Sequence, residues 1–289
     1  MNTGQSSEPS VESSARPFWW EADIERLRER YRSAAPFPHV VIDNFLEPER
    51  CRRIVEEEFG DVGSPRWTYH RHYSQKTYSR SDFASFRPTT RCVFEQLGSS
   101  RVIDFVTRLT GIRGLFLHPE LEDGGLAACR TGGFANIHTD MMVHPTHRNW
   151  LRRVNLIWYL NEDWQPEYQG DLELWDESVR RCVQRIAPLF NRAVIFEVGD
   201  ITMHGYPEIL RCPPDRPRKS VAFYYFTEET EPVKVRYFVY HARPGDGLKH
   251  LWVAIDNMLI HTYERVRQPL GIDDRFVNRV MRLCGIGRE

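Results

Sequence analysis

From Leu115 to Glu229 the apolar residues come in short runs, and this feature constrains the fold more than any other. The runs are "LFLH", "GGLAACRTGGFANIH", "RVNLIWYLN", "GDLELWD", "VQRIAPLFNRAVIFEV", "ITMHGYPEI" and "SVAFYYFTEE", with Gly, Pro, Asn and Asp as punctuation. Val, Ile, Tyr, Phe and Trp pack well on a pleated surface, so runs of this kind predict many short strands in a sandwich or barrel. The junctions carry turn chemistry: Asn191-Arg192 separates "APLF" from "AVIFEV", and Gly199-Asp200 separates the next pair of strands. Aromatic residues make up 12 % of the chain, with eight Trp, as a packed β-rich core requires.

Helical periodicity appears on both sides of this region. Ahead of it, "WWEADIERLRERYRSAA" has apolar residues at helical spacing. A strand follows at His39–Ile42, then a turn at Asp43-Asn44 and an amphipathic helix from about Glu47. "SSRVIDFVTRLTGI" predicts another helix, with Val102, Phe105, Val106 and Leu109 on one side. After the β region, "VKVRYFVYHARPGDG" leads into a helix in which Leu251, Ile255, Met258 and Leu259 share a face. A last helix is capped by Asp273 or Asp274, has Phe276, Val277, Val280 and Met281 as its apolar side, and ends before Gly285. The chain therefore divides into a Ser/Glu/Pro-rich disordered tail (1–16), a helical and strand support (17–114), a β core (115–230) and a helical extension (231–289). The extension is expected to pack on the core or on a second subunit, as a homodimer through the C-terminal helices.

Bulk properties exclude several classes. At 289 residues the chain can bury a sizeable core, and 39 Lys+Arg against 40 Asp+Glu give a net charge of −1. No overall field points to nucleic acid or an anionic membrane. The cysteines (51, 92, 129, 182, 212, 284) are scattered without a Cys-x-x-Cys pair, so neither a zinc spacing nor a disulfide framework is visible. No apolar run reaches the length of a membrane span, and "MNTGQSSEPSVESSARP" has no secretory signal pattern. A cytoplasmic location is expected.

Two stretches carry chemistry. In "FANIHTD", read as a strand, His138 and Asp140 stand two apart and face one side. In "ITMHG", His204 lies on a separate strand and can complete a triangle. Two imidazoles and one carboxylate on one face form the facial triad of non-haem iron(II) oxygenases, which leaves positions open for a co-substrate and O2. Fourteen residues further on, "RPRKSVAFYYF" places Arg218 and Ser220 on one face at the start of the next strand, a guanidinium and hydroxyl suited to a carboxylate. Taken alone, His-x-Asp is a short motif and "RPRK" is an ordinary basic turn.

Together, "GGFANIHTD…RVNLIWYLNEDWQPEYQGDLELWD…GDITMHGYPE…RPRKSVAFYYFTEE" resembles the 2-oxoglutarate- and Fe(II)-dependent dioxygenases, and within them the prolyl-4-hydroxylase-like branch. The entry strand "PFPHVVIDNFL" is similar to that branch too, so the resemblance covers roughly residues 36–230. It implies a mainly β fold with flanking helices around a double-stranded β-helix (jelly-roll) core. It also implies Fe(II) on His138, Asp140 and His204, and 2-oxoglutarate anchored by Arg218 with Ser220. O2 is the oxidant, ascorbate an accessory reductant, and succinate and CO2 the co-products. Asp140 leaves no room for a halide ligand, so hydroxylation of an unactivated C–H bond is the expected outcome.

Two departures stand out. The tyrosine that many prolyl hydroxylases carry ahead of the His-x-Asp is missing from "AACRTGG", leaving Tyr159, Asn136 or Arg130 to serve. The inserted "PEILRCPPDRP" makes Lys219 and Arg216 rival anchors. Residues 69–88 mix Tyr, His and Arg without clear periodicity and read as a loop over the open end. The second arginine of the superfamily's nucleic-acid demethylases falls here on Tyr224, so nucleic acid is not the expected substrate; a small-molecule or peptidyl substrate is. His144 and His147 read as rim residues. The alternatives are a metal-dependent hydrolase on the same triad, which lacks an adjacent general base, and a non-catalytic jelly-roll binding module.

Overall fold

The computed structural model describes residues 18–118, 124–144, 147–233 and 238–270. The tail expected at 1–16 and the helix expected after Asp273 lie outside the described residues. The N-terminal part contains α1 (Trp19–Ala22), α2 (Ile24–Ser33), β1 (His39–Ile42), α3 (Pro48–Glu58), β2 (Thr68–His72), β3 (Gln75–Arg80), α4 (Pro88–Leu97) and α5 (Ser100–Thr110). The β region contains β4 (Phe116–Leu117), β5 (Gly125–Cys129), β6 (Phe134–Thr139), β7 (Trp150–Tyr159), β8 (Leu172–Trp175), β9 (Cys182–Ile186), β10 (Arg192–Glu197), β11 (His204–Tyr206) and β12 (Arg218–Glu228). β13 (Val239–His241) and α6 (Lys249–Leu270) follow.

The helices obey their sequence signals. Pro48 and Pro88 open α3 and α4, where a missing N–H is harmless. Ser99 caps α5 by accepting from Val102 N, and Gly111 ends it in the left-handed region at φ 82°. Val102, Phe105, Val106 and Leu109 are its buried face, as the spacing predicts.

All thirteen strands join one antiparallel sheet with the order β1-β10-β7-β12-β5-β3-β6-β11-β8-β9; β13 pairs with β6, β2 with β3 and β4 with β12. This is the jelly-roll core. The period-2 alternation of β7 and β12 divides the molecule. Val154, Leu156, Trp158, Val221, Phe223 and Tyr225 point out and form one core with Trp20, Leu27, Ile54, Val93, Phe94, Val106 and Leu109 of the helices. Trp158 is wholly buried and donates to Asn191 Oδ1 at 3.2 Å; truncating a tryptophan so placed costs about 3–5 kcal/mol. Tyr159 points inward and packs with Leu172, Leu174, Ile186, Val194 and Phe196. Inward positions of these strands are the ones available to a site.

Three sequence expectations change. Residues 68–80 are a hairpin, not a loop: β3 pairs with β5 and β6, and Tyr69 stacks on Tyr78 at 4.4 Å. Polar side chains hid the strand period: the buried positions of β3 are Thr77 and Arg80, and the rest are half-buried, so no apolar face alternates. His144 is buried instead of lying at the rim, with its ring among His147, Trp150 and Phe226. On α6 the buried positions are Val253 and Asp256, while Leu251, Met258 and Leu259 are exposed. Helical periodicity identified a shared face but could not say that a polar residue would be the one docked. No helix among the described residues is long and apolar enough to cross a membrane.

Candidate active site

β6 and β11 run antiparallel with His204 directly opposite His138. Cross-strand partners share a face, so the two imidazoles meet with ring centroids 4.5 Å apart. Asp140, two residues beyond His138, turns to the same side. Ligand atoms of His138, Asp140 and His204 all lie within 4.8 Å of one another, which no other trio of His, Cys, Asp or Glu achieves among the described residues.

Their spacing is that of ligands around a common point. Asp140 Oδ1 is 3.9 Å from His138 Nε2 and 3.8 Å from His204 Nε2, too far for hydrogen bonds. Each ring is fixed from behind: His138 Nδ1 meets Asn136 O at 2.8 Å, and His204 Nδ1 meets Thr202 O at 2.9 Å. A carbonyl can only accept, so both Nδ1 atoms carry a proton and both Nε2 atoms face Asp140, the ring orientation a metal-bound histidine needs. Asn155 Nδ2 donates to Asp140 Oδ2 at 2.9 Å and orients the carboxylate.

Electrostatics agree with this geometry. Burial, with His204 beside it, pushes the His138 imidazole down to about 3 and keeps it neutral. Burial works against the charge of Asp140, but His204, His138, Arg152 and the Asn155 hydrogen bond together hold its carboxyl below the usual range. A set of two imidazoles and one oriented carboxylate fits Fe(II).

A second group gathers on β12. Arg218 and Ser220 are both buried and face inward, and Ser220 pairs with Tyr159 of β7. The Arg218 guanidinium lies over Tyr206 at 4.1 Å and over Tyr159 at 4.9 Å, while its Nε donates to Gly170 O at 2.8 Å. Gly170 sits at φ +88°, and a Cβ there would meet Arg218 Cδ at 3.0 Å, so glycine lets the arginine stem pass. Tyr159 is fully buried with the Arg218 guanidinium beside its hydroxyl; burial raises its pKa, and Arg218 opposes the rise.

The rival anchors are elsewhere. Arg216 is exposed, and Lys219 alternates to the opposite side of the strand, where Asn161 brackets its backbone. Arg130 is turned away toward Val62 O and the Tyr78 ring. Asn136 serves through its backbone carbonyl behind His138.

Sequence reasoning missed Asn155, Tyr206 and Arg152. Asn155 had a signal, a lone amide inside the apolar strand "RVNLIWYLN". Tyr206 links the two groups, since it is two residues from His204 and stacks on Arg218. Arg152 reaches over Tyr224 at 4.4 Å, so β7 supplies a cation beside the position where the demethylase arginine is absent.

Residues 124–226 match the family described as the 2OG-Fe(II) oxygenase superfamily. A curated relative, prolyl 3-hydroxylase OGFOD1 of Mus musculus, is 23% identical over 184 residues, covering 61% of this chain and 30% of that protein. The chain thus spans about a third of that relative's length. A prolyl hydroxylase from Trichoplax adhaerens, solved with a hypoxia inducible factor oxygen degradation domain peptide, superposes with a TM-score of 0.51 at 18% identity, over 73% of this chain and 94% of that one. The non-heme alpha ketoglutarate dependent epimerase SnoN from nogalamycin biosynthesis gives 0.50 at 13% identity, over 78% and 91%.

Residues 124–226 are therefore similar to the 2OG-Fe(II) oxygenase superfamily, and the His-Asp-His trio lies within that matched segment. The matched family's description names Fe(II) and 2-oxoglutarate, and the trio is a set of residues that could hold a metal ion.

Proposed function

We propose that this enzyme hydroxylates an unactivated C–H bond of a prolyl or amino-acid-like group, on a peptide or a small molecule, with 2-oxoglutarate converted to succinate and CO2. His138, Asp140 and His204 would hold the iron, and Arg218, Ser220 and Tyr159 the distal carboxylate of 2-oxoglutarate. Bound iron with its co-substrate supplies the oxidising power; the protein supplies position, charge and exclusion of water.

The observation that carries this reading is the buried cluster of Arg218, Ser220 and Tyr159, with the guanidinium over the Tyr159 ring at 4.9 Å and Ser220 paired with Tyr159. A carboxylate there would meet a guanidinium and two hydroxyls together, and charge-assisted bonds of this kind are about twice as strong as neutral ones. Asn155 keeps the carboxylate of Asp140 aimed at the metal, and the two backbone carbonyls fix the orientation of the imidazole rings. A prolyl group is favoured because OGFOD1 is a prolyl 3-hydroxylase and the Trichoplax adhaerens structure is of a prolyl hydroxylase with a peptide. The SnoN likeness, an epimerase, is a reminder that fold alone does not choose the outcome. Ascorbate is an accessory reductant in this proposal. The described cysteines are all free thiols, which supports a reducing, cytoplasmic setting.

Anaerobic titration of apo-protein with Fe(II) and 2-oxoglutarate tests the site. A visible charge-transfer band in wild type, absent in His204→Ala, is expected. Iron binding without the band would remove the co-substrate assignment. Incubating a proline-rich peptide under air and finding no gain of oxygen by mass would remove the prolyl substrate.

A further inference from the structure

Phe238 and Tyr240 lie beyond the matched segment 124–226, yet both rings reach an iron-ligand histidine. Phe238 stacks on the His138 imidazole at 4.5 Å and 23°. Tyr240 meets the same ring edge-on at 5.6 Å, and the two aromatics touch each other at 4.8 Å. The sheet explains the placement. β3 pairs with only the first part of β6, at Phe134 and Ala135, whereas β13 pairs with its last part, Tyr240 opposite His138 and Val239 opposite Thr139.

A three-residue strand makes too few ladder bonds to hold itself in place. α6 holds it. Asn257 Oδ1 accepts from Tyr240 N at 2.9 Å, and its Nδ2 donates to Tyr240 O at 2.8 Å, so one side-chain amide replaces a neighbouring strand. His261 Nε2 bonds Phe238 O at 3.0 Å. Asp256 ties the helix to the β2–β3 turn by accepting from Ser74 N at 3.0 Å, Tyr73 N at 3.3 Å and His72 Nδ1 at 2.9 Å. Tyr240 Oη and Gln75 Oε1 close the ring of contacts at 2.5 Å.

We propose that Phe238 is the substrate-facing wall of the iron site, and that Asn257 and His261 are the positioning residues that hold it there. Tyr240 is buried and forms the backing, while Phe238, stacked on His138, is only partly buried. An apolar aromatic face beside the iron ligand receives an aliphatic group, such as a pyrrolidine ring, better than a charged one, because a charge would lose hydration there without a partner. α6 is thereby part of the active site rather than an appendage. The inference rests on the iron-site reading above.

The test maps carbethoxylation of His138 in the apo-protein by peptide mass spectrometry, beside the anaerobic Fe(II)/2-oxoglutarate band in the same preparations. His138 should react roughly 5-fold faster in Phe238→Ala and in Asn257→Ala, the scale expected from losing one to two hydrogen bonds or their equivalent contact. His204, packed under Phe196 at 4.8 Å, should change little and serves as the internal standard. Phe238→Leu, which keeps apolar bulk, should retain most of the protection if Phe238→Ala disturbs folding. With a proline-rich peptide as probe, hydroxylated peptide per succinate should fall in Phe238→Ala and Asn257→Ala while the 2-oxoglutarate requirement holds. Equal His138 reactivity in wild type and both variants would overturn the wall. A wild-type protein that protects His138 but binds no Fe(II) would overturn the iron reading, and the contact of Phe238 with His138 would then be packing alone.

Discussion

Asp140 and Asp256 are both nearly inaccessible, at 4% and 5% exposure, and both carboxyls sit below the usual range beside histidines. Their surroundings differ in one respect. Asp256 accepts from His72 Nδ1, Tyr73 N and Ser74 N, so protein donors satisfy its charge. Asp140 has Asn155 on Oδ2, but its Oδ1 looks at two imidazole nitrogens from 3.8 and 3.9 Å, too far to donate to it. A buried carboxylate is costly unless something positive or donating completes it. The protein completes Asp256 by itself and gives Asp140 fewer donors, as the proposed iron site requires. Burial and pKa direction do not separate the two aspartates; the count of hydrogen-bond donors does.

The largest expected effects test that distinction directly. Asp140→Ala should weaken Fe(II) binding by more than about 100-fold, above the usual cost of losing an outer-shell group, with the apo-protein as stable as wild type or more so. Asp256→Ala should do the reverse, lowering unfolding free energy by ~3 kcal/mol with iron affinity nearly unchanged. Metal titration and denaturant unfolding of both variants decide, and exchanged outcomes would break the comparison. Next, Arg218→Ala should raise the 2-oxoglutarate requirement about 10- to 100-fold, the value of a charge-assisted bidentate contact, with iron binding intact. An unchanged requirement would send the anchor back to Lys219 or Arg216.

Much of this was legible in the sequence because it depends on local period. His138 and Asp140 stand two apart, Arg218 and Ser220 stand two apart, and short β-branched and aromatic runs fix the class of fold. What was not legible depends on register and on neighbours. Pairing of Ser220 with Tyr159, and of Tyr240 with His138, follows from which strands lie side by side. The polar hairpin at 68–80 has no hydrophobic period because its faces are half-buried and its buried side chains are Thr77 and Arg80. On α6 the apolar face drew attention, while the docking residue was a carboxylate whose donors lie in a turn some 180 residues earlier in the chain, at positions 72–74.

Smaller effects sharpen the same contrast between satisfied and waiting groups. Asn155→Ala frees the Asp140 carboxylate to rotate and should lower Fe(II) affinity about 10-fold, as outer-shell losses do, without unfolding the chain. Tyr159→Phe should raise the 2-oxoglutarate requirement only about 3- to 10-fold. A tyrosine that merely packed would leave the 2-oxoglutarate requirement unchanged.

The smallest effect concerns acid. Asp256 has its carboxyl held below the ordinary 3.8: burial opposes this, but the His72 and Ser74 hydrogen bonds outweigh it. A carboxyl depressed in the folded state contributes its full stability above its unfolded value and loses it as pH falls through the folded one. The docking of α6 should therefore be indifferent to pH near neutrality and weaken only below about 4, the unperturbed carboxylate range. Hydrogen exchange at Tyr240 N, whose acceptor Asn257 rides on the same helix, reports that release. In Asp256→Asn the acid dependence should vanish while a weaker docking persists at all pH values, since an amide retains one acceptor for the turn. Were the wild-type transition to survive that substitution, a different acid would hold the helix, and the division of labour between the two aspartates would have to be redrawn.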